Sequence, residues 1–213
     1  MLTPAGEGVV QERSTEGRIA GATREQWMQR GLTGAAGLAS GAILAGGFAS
    51  LANSAAPRNQ DVAVLNFALA FEQLQAGFYA DALRRLSLQG EWLQFAQVVD
   101  EHERAHVAFL RKALGPAAKP IRLRLSHGPA DLRAFQQLAV TLEDLGVALY
   151  NGQAANVSKP VLAQAAEIVS VEARHASWAR DLVGLTPAPE ATDAPASVAQ
   201  VQARLKSAGV SIG

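Results

Sequence analysis

At 213 residues the chain is long enough for one domain with a substantial core, but not for two large ones. Its 19 basic and 19 acidic residues cancel, which removes the electrostatic footprint expected of a nucleic-acid binder. The absence of cysteine excludes disulfides, thiolate metal sites, iron–sulfur clusters, a cysteine nucleophile and a cysteine-borne lipid anchor. Hydrophobic residues make up 49% and aromatic ones only 6%, with Ala prominent, which predicts an all-α domain rather than a β-sandwich.

The first 30 residues are polar and Gly-rich, and from Gly31 to Pro57 there is no charged residue. Arg24 and Arg30 precede this uncharged run, and Ser50, Ala52, Ser54 and Ala56 offer small residues near its end. A basic edge, an apolar stretch and small residues form the layout of an export signal cleaved near 52–56. Thr23 to Gly31 (TREQWMQRG) is similar to a twin-arginine motif without its second arginine, because Glu25 follows Arg24. A start at Met28 would leave a Sec-type signal. Uncleaved, the run is long enough to anchor the chain in a membrane. Residues 1–56 are therefore expected to be an export signal or an N-terminal anchor with a polar leader, and the protein is expected in the periplasm, cell envelope or exterior.

Four long helical stretches follow. Asn59-Gln-Asp61 is a capping cluster that opens the first, which runs to about Leu88 before Gly90. The second runs from about Glu91 to Leu114 and is stopped by Gly115-Pro116. Pro116, Pro120 and Pro129 prevent a continuous helix between Gly115 and Ala130, where IRLRL reads as extended chain. Asp131 caps the third helix, which ends at Asn151-Gly152 or Gln153. Ser158 caps the fourth, with Pro160 in its first turn, and Gly184 and Pro187 close it. Residues 186–197 read as a Pro/Ala/Thr-rich linker, and Ser197 to Ala208 as a short amphipathic tail helix. Short connections make helices one and two, and helices three and four, antiparallel neighbours, whereas the connection from two to three is long enough to cross the bundle. Residues 57–185 thus read as a four-helix bundle with one long crossover, and residues 186–213 as its linker and tail.

The chemistry lies in the order of four motifs. Two of the four histidines sit three residues after a glutamate, as Glu103-Arg-Ala-His106 and Glu172-Ala-Arg-His175. On a helix this spacing turns a carboxylate and an imidazole toward one point. Both tyrosines lie seven residues after a glutamate, as Glu72…Tyr79 and Glu143…Tyr150, two turns apart and on one face. The order is Glu…Tyr, Glu-x-x-His, Glu…Tyr, Glu-x-x-His, a two-fold pseudo-repeat. Glu72 and Glu143 stand in apolar surroundings (VAVLNFALAFEQLQAGFYA and LAVTLEDLGVALY), where an ionised carboxylate is costly unless paired or bound to a cation. Four carboxylates and two neutral imidazoles balance two divalent ions, and oxygen and nitrogen donors without sulfur suit Fe or Mn. His102, about 100° round the helix from Glu103, is expected to face solvent or a neighbouring helix. His127 lies in the crossover, Glu101 is expected at the surface, and Trp92 and Trp178 are expected to be packing residues.

This pattern resembles the ferritin-like di-iron carboxylate proteins, and LNFALAFEQLQAGFY, DEHERAHVAFL and VEARHASWA look like the exported ferritin-like proteins grouped with desiccation-related proteins. The resemblance covers about residues 59–184. It implies a ferritin-like bundle in which Glu72 and Glu143 are terminal ligands, Glu103 and Glu172 bridge two metals, and His106 and His175 bind one each. Tyr79 and Tyr150 would lie beside the site, each hydrogen-bonding a ligand or supplying an electron. The implied cofactors are two divalent ions, Fe before Mn, and the implied partners are O2 or peroxide, with no nucleic acid, a membrane only if the N-terminal segment stays attached, and a homodimer allowed. The expected function is Fe(II)/O2 or peroxide chemistry in stress protection, ferroxidase-like or catalase-like. The alternative is a non-catalytic desiccation-related protein with a structural or vestigial site. A storage cage is disfavoured, because the chain has few carboxylates beyond the site.

Overall fold

The computed structural model describes residues 58–119 and 122–212; the expected export segment lies outside the described residues. Four long helices follow in order: α1 (Asn59–Arg85), α2 (Gly90–Leu114), α3 (Leu132–Gln153) and α4 (Lys159–Leu182). A shorter α5 (Val198–Ser207) lies in the tail. The helices begin and end close to where the sequence predicts. The first stops three residues early, at Arg85. The third runs through Asn151-Gly152 to Gln153, and a single 3-10 turn (Ala154–Asn156) follows it. Asp131 caps α3 by accepting from the Ala134 amide at 2.8 Å, which satisfies one of the unpaired first-turn amides. Ser158 at the start of α4 works differently: its own amide donates to Asp61 Oδ1 at 2.8 Å, while Asp61 Oδ2 accepts from Arg58 N at 3.1 Å. One buried carboxylate therefore ties the beginnings of α1 and α4 together.

The crossover is stitched to α1 by Asn66. Its side-chain amide donates to the carbonyls of Val62 and Ala117, at 2.8 and 3.0 Å, and its Oδ1 accepts from Lys119 N at 2.5 Å. Beyond it, β1 (Leu123–Leu125) pairs antiparallel with β2 (Val210–Ile212), with Leu123 opposite Ile212 and Leu125 opposite Val210. Sequence pattern gives the extended segment at β1 but not its partner, since three residues after a short helix carry no period of their own. The ribbon brings the tail back against the crossover. The linker is held on α3 by Ala196 N donating to Ala148 O at 2.9 Å, an approach that Gly152 allows because a Cβ there would collide with the Ala196 backbone.

α1 packs chiefly on α2 and α3 on α4. Two apolar clusters fill the bundle. One gathers Phe71, Phe78, Phe95, Phe135 and Leu142 with Leu205 of α5; the other gathers Leu65, Leu69, Leu110, Leu114, Val161 and Ile168. Each such side chain removed from water stabilises the fold by roughly 1.5–3 kcal/mol. Along α2 and α4 the site residues fall between the two clusters, with Val99, Glu103, His106 and Leu110 in α2, and Ile168, Glu172, His175 and Ala179 in α4. Among the described residues, no helix is long and apolar enough to cross a membrane.

Candidate metal centre

Each of the four long helices contributes at mid-bundle. Glu72, Glu103, Glu143 and Glu172 are all fully buried, and His106 and His175 are nearly so. Two sets of donor atoms come together. Glu72, Glu103, His106 and Glu172 form one, and Glu103, Glu143, Glu172 and His175 form the other; within each, the atoms lie inside 4.8 Å of one another. Glu103 and Glu172 belong to both sets. His106 Nδ1 lies 3.1 Å from Glu72 Oε2, 3.4 Å from Glu103 Oε2 and 3.2 Å from Glu172 Oε1. His175 Nδ1 lies 3.2 Å from Glu103 Oε1, 3.3 Å from Glu143 Oε2 and 3.9 Å from Glu172 Oε1. All six residues singled out in the sequence therefore converge.

The donor set fits a pair of metal ions. Both oxygens of Glu103, Oε2 of Glu143, Oε1 of Glu172 and Nδ1 of His175 are buried with no well-formed hydrogen bond. His175 Nδ1 is close to two carboxylates, yet it lacks the geometry to bond either. Buried polar atoms left without hydrogen-bond partners are expensive in a protein interior, and a cation at their focus removes that cost.

The outer oxygens of the terminal carboxylates are held by tyrosines in a crossed arrangement. Tyr79 on α1 donates to Glu143 Oε1 of α3 at 2.6 Å, and Tyr150 on α3 donates to Glu72 Oε1 of α1 at 2.5 Å. Because α1 and α3 run antiparallel and each carries its Glu and Tyr seven residues apart, one register closes both bonds. In each case the other oxygen, Oε2, faces the histidine. The Tyr79 ring is fixed by edge contacts to Phe78, Phe95 and Phe135, with centroids 4.9, 5.8 and 6.0 Å away. Burial, and then the charge of the bonded carboxylate, hold both phenols well above their ordinary pKa, so both stay protonated donors.

Gln75 was not singled out by sequence. Its side-chain amide donates to Glu143 Oε1 at 3.1 Å and to Glu172 Oε2 at 3.3 Å. The signal was present, since Gln75 follows Glu72 by the same three residues that separate each Glu-x-x-His pair. The equivalent position after Glu143 is Gly146. A Cβ there would land on Glu172 Oε2, so the bare backbone makes room for that carboxylate.

His102 faces a neighbouring helix, one of the two expectations for it, and its Nδ1 lies 2.8 Å from His175 Nε2. Burial of its inner face, then the adjacent His175, pull its pKa down to about 4, although its outer edge is exposed. His127 and Glu101 are exposed. Trp178 packs on the core and also donates to Glu91 Oε1 at 3.1 Å. Arg104 pairs with Asp100 at 2.6 Å.

Without a cation the cluster collects protons. Burial, then the charge of Glu103, raise Glu72 to about 7, and burial, then Glu72, raise Glu172 to about 7. Burial works against protonating the imidazoles, but their carboxylate neighbours outweigh it. His175 is raised to about 10, chiefly by Glu103 and Glu143, and His106 is raised well above the usual range, chiefly by the charge of Glu72. Metal and protons therefore compete for the same atoms.

A mid-bundle cluster of carboxylates and imidazoles, on four helices with one long crossover, is the arrangement of a ferritin-like helical bundle. Residues 60–185 match the ferritin-like domain family, and the chain belongs to that family. Among curated proteins, none matches the chain.

Proposed function

We propose that the protein binds two divalent ions, iron before manganese, and uses them for chemistry with O2 or peroxide in stress protection. The sharing of Glu103 and Glu172 between both donor sets carries this reading, because a shared carboxylate is what holds two ions at bridging distance. In this reading Glu72 and His106 would hold one ion and Glu143 and His175 the other, with Glu103 and Glu172 available to both. Bound iron or manganese would supply the redox change. The chain's own residues do the rest. Tyr79 and Tyr150 hold one oxygen of each terminal carboxylate and leave the other free for the ion. Gln75 steadies Glu143 and Glu172, and the flanking apolar clusters keep bulk water out. Export, as a cleaved or anchoring segment, is supported by the uncharged run behind Arg24 and Arg30.

One feature favours a second reading, in which the ions only staple the bundle as part of a desiccation-related protein. Each terminal carboxylate is already clamped by a tyrosine, and such rigidity suits a structural site. Elemental analysis of the protein reloaded anaerobically with Fe(II) tests the common core of both. About two ions per chain are expected, and none in Glu103→Ala/Glu172→Ala; equal metal in both proteins would sink the dimetal centre. Oxidation of Fe(II) faster than the protein-free blank separates the redox reading from the staple.

A further inference from the structure

The halves of the cluster are built from equivalent positions, yet the pseudo-repeat breaks next to the histidines. His175 Nε2 lies 2.8 Å from His102 Nδ1, and the two rings meet edge to edge, with centroids 5.1 Å apart and planes 19° from parallel. The opposite nitrogen, His175 Nδ1, is buried, faces Glu103 and Glu143, and forms no proper hydrogen bond. His102 is the residue just before Glu103; its counterpart just before Glu172 is Val171, whose side chain has no donor or acceptor.

We propose that His102 is a positioning residue that fixes the tautomer and ring plane of His175, making the Glu103/Glu143/Glu172/His175 position the tighter of two metal positions. The proposal rests on the reading that the cluster binds metal. A neutral imidazole carries one proton, and Nδ1 can offer its lone pair to an ion only if that proton sits on Nε2. His102 Nδ1 is at hydrogen-bond distance from Nε2 and accepts the proton's hydrogen bond. His102 then carries its own proton on Nε2, and its exposed edge leaves water able to accept it. The competing tautomer of His175, with Nδ1 blocked, loses this bond. The bond also resists rotation of the ring, because the rings lie close to one plane, 19° apart. Outer partners of this kind are commonly carboxylates or carbonyls; loss of such a partner typically weakens metal binding 10–100-fold.

Cobalt(II) titrated anaerobically into the full chain, followed by calorimetry and by its visible absorption bands, tests the assignment. Wild type is expected to show a tighter and a weaker step. His102→Leu should weaken the tighter step about 10–100-fold and leave the other unchanged. His102→Asn can set Oδ1 where Nδ1 stood and accept the same bond, so it should stay within a few-fold of wild type. Both variants should melt alike in chelator, because the bond acts on metal binding rather than on the fold. Wild-type affinities in His102→Leu, or equal weakening in both variants, would overturn the proposal. Failure of wild type itself to take up cobalt would overturn the underlying metal reading, and this one with it.

Discussion

The α1–α2 and α3–α4 hairpins present the same groups at the same intervals: a tyrosine seven residues after a lone glutamate, then a glutamate three residues before a histidine. They differ one step outward. Where α1 has Gln75, donating to two carboxylates, α3 has Gly146, and where α2 has His102, bonded to His175, α4 has Val171. The repeat therefore covers the six possible ligands and the two tyrosines that hold Glu72 and Glu143, and stops at Gln75 and His102. On the proposed two-ion reading, charge balance asks for two carboxylates per ion, and so for matched glutamates in the two halves. Nothing in that balance requires the supporting residues to match, so there the halves are free to diverge.

The largest effect should come from emptying the centre, which abolishes what the halves share. Chelation should lower the melting temperature and leave a metal-free chain whose stability falls as pH rises. The folded state then holds protons the unfolded state has released. Glu72 and Glu172 do so between the ordinary 4.5 and about 7, and His175 between 6.5 and about 10. More protons bound in the folded state means a negative slope of stability with pH. With metal present the trend should reverse, because the ligands must shed those protons to bind. Thermal melts from pH 5 to 9, with and without chelator, measure both slopes; parallel curves would contradict the assignment.

Gly146→Ala and Gln75→Ala probe the position where the halves differ. The new methyl at 146 would press on the Glu172 carboxylate and lie 3.5 Å from Phe71 Cε1. We expect a loss of about 1–3 kcal/mol together with weaker binding of both ions, since Glu172 is shared. Gln75→Ala removes a donor but creates no clash, and should cost about 1–2 kcal/mol. Urea denaturation of both variants ranks them, and a milder effect at 146 than at 75 would mean that the helices shift apart freely.

Tyr79→Phe and Tyr150→Phe probe the position where the halves agree. Each removes one short bond to a buried carboxylate, worth roughly 1.5–3 kcal/mol for a charged acceptor. The two losses should be close to equal by chemical denaturation, and a large inequality would break the pseudo-symmetry. The smallest change expected is in Asp61→Asn, which keeps an acceptor for the Ser158 amide but gives up its charge and the bond accepted from Arg58 N. A loss of about 0.5–1.5 kcal/mol, read as a shift in the denaturation midpoint with unchanged metal content, would separate the bundle's end from its centre.

Sequence by itself determined the helices and which of their residues share a face. Spacings of three and seven follow from a 3.6-residue turn, a property of each helix alone, so Glu103 with His106, Glu172 with His175, and each Glu with its Tyr could be read directly. So could the cap at Asp131 and the break at Gly115-Pro116. Which side chain meets which across the bundle was decided only by tertiary structure. The crossed tyrosine bonds, Gln75 reaching Glu172, His102 behind His175, Asp61 bonding Ser158 and the β1–β2 ribbon all join residues at least 64 positions apart. Such registers are set by how whole apolar faces interlock, with Phe71, Phe78, Phe95 and Phe135 fixing the depth at which the helices pass one another, and that packing carries no local spacing from which it could be read.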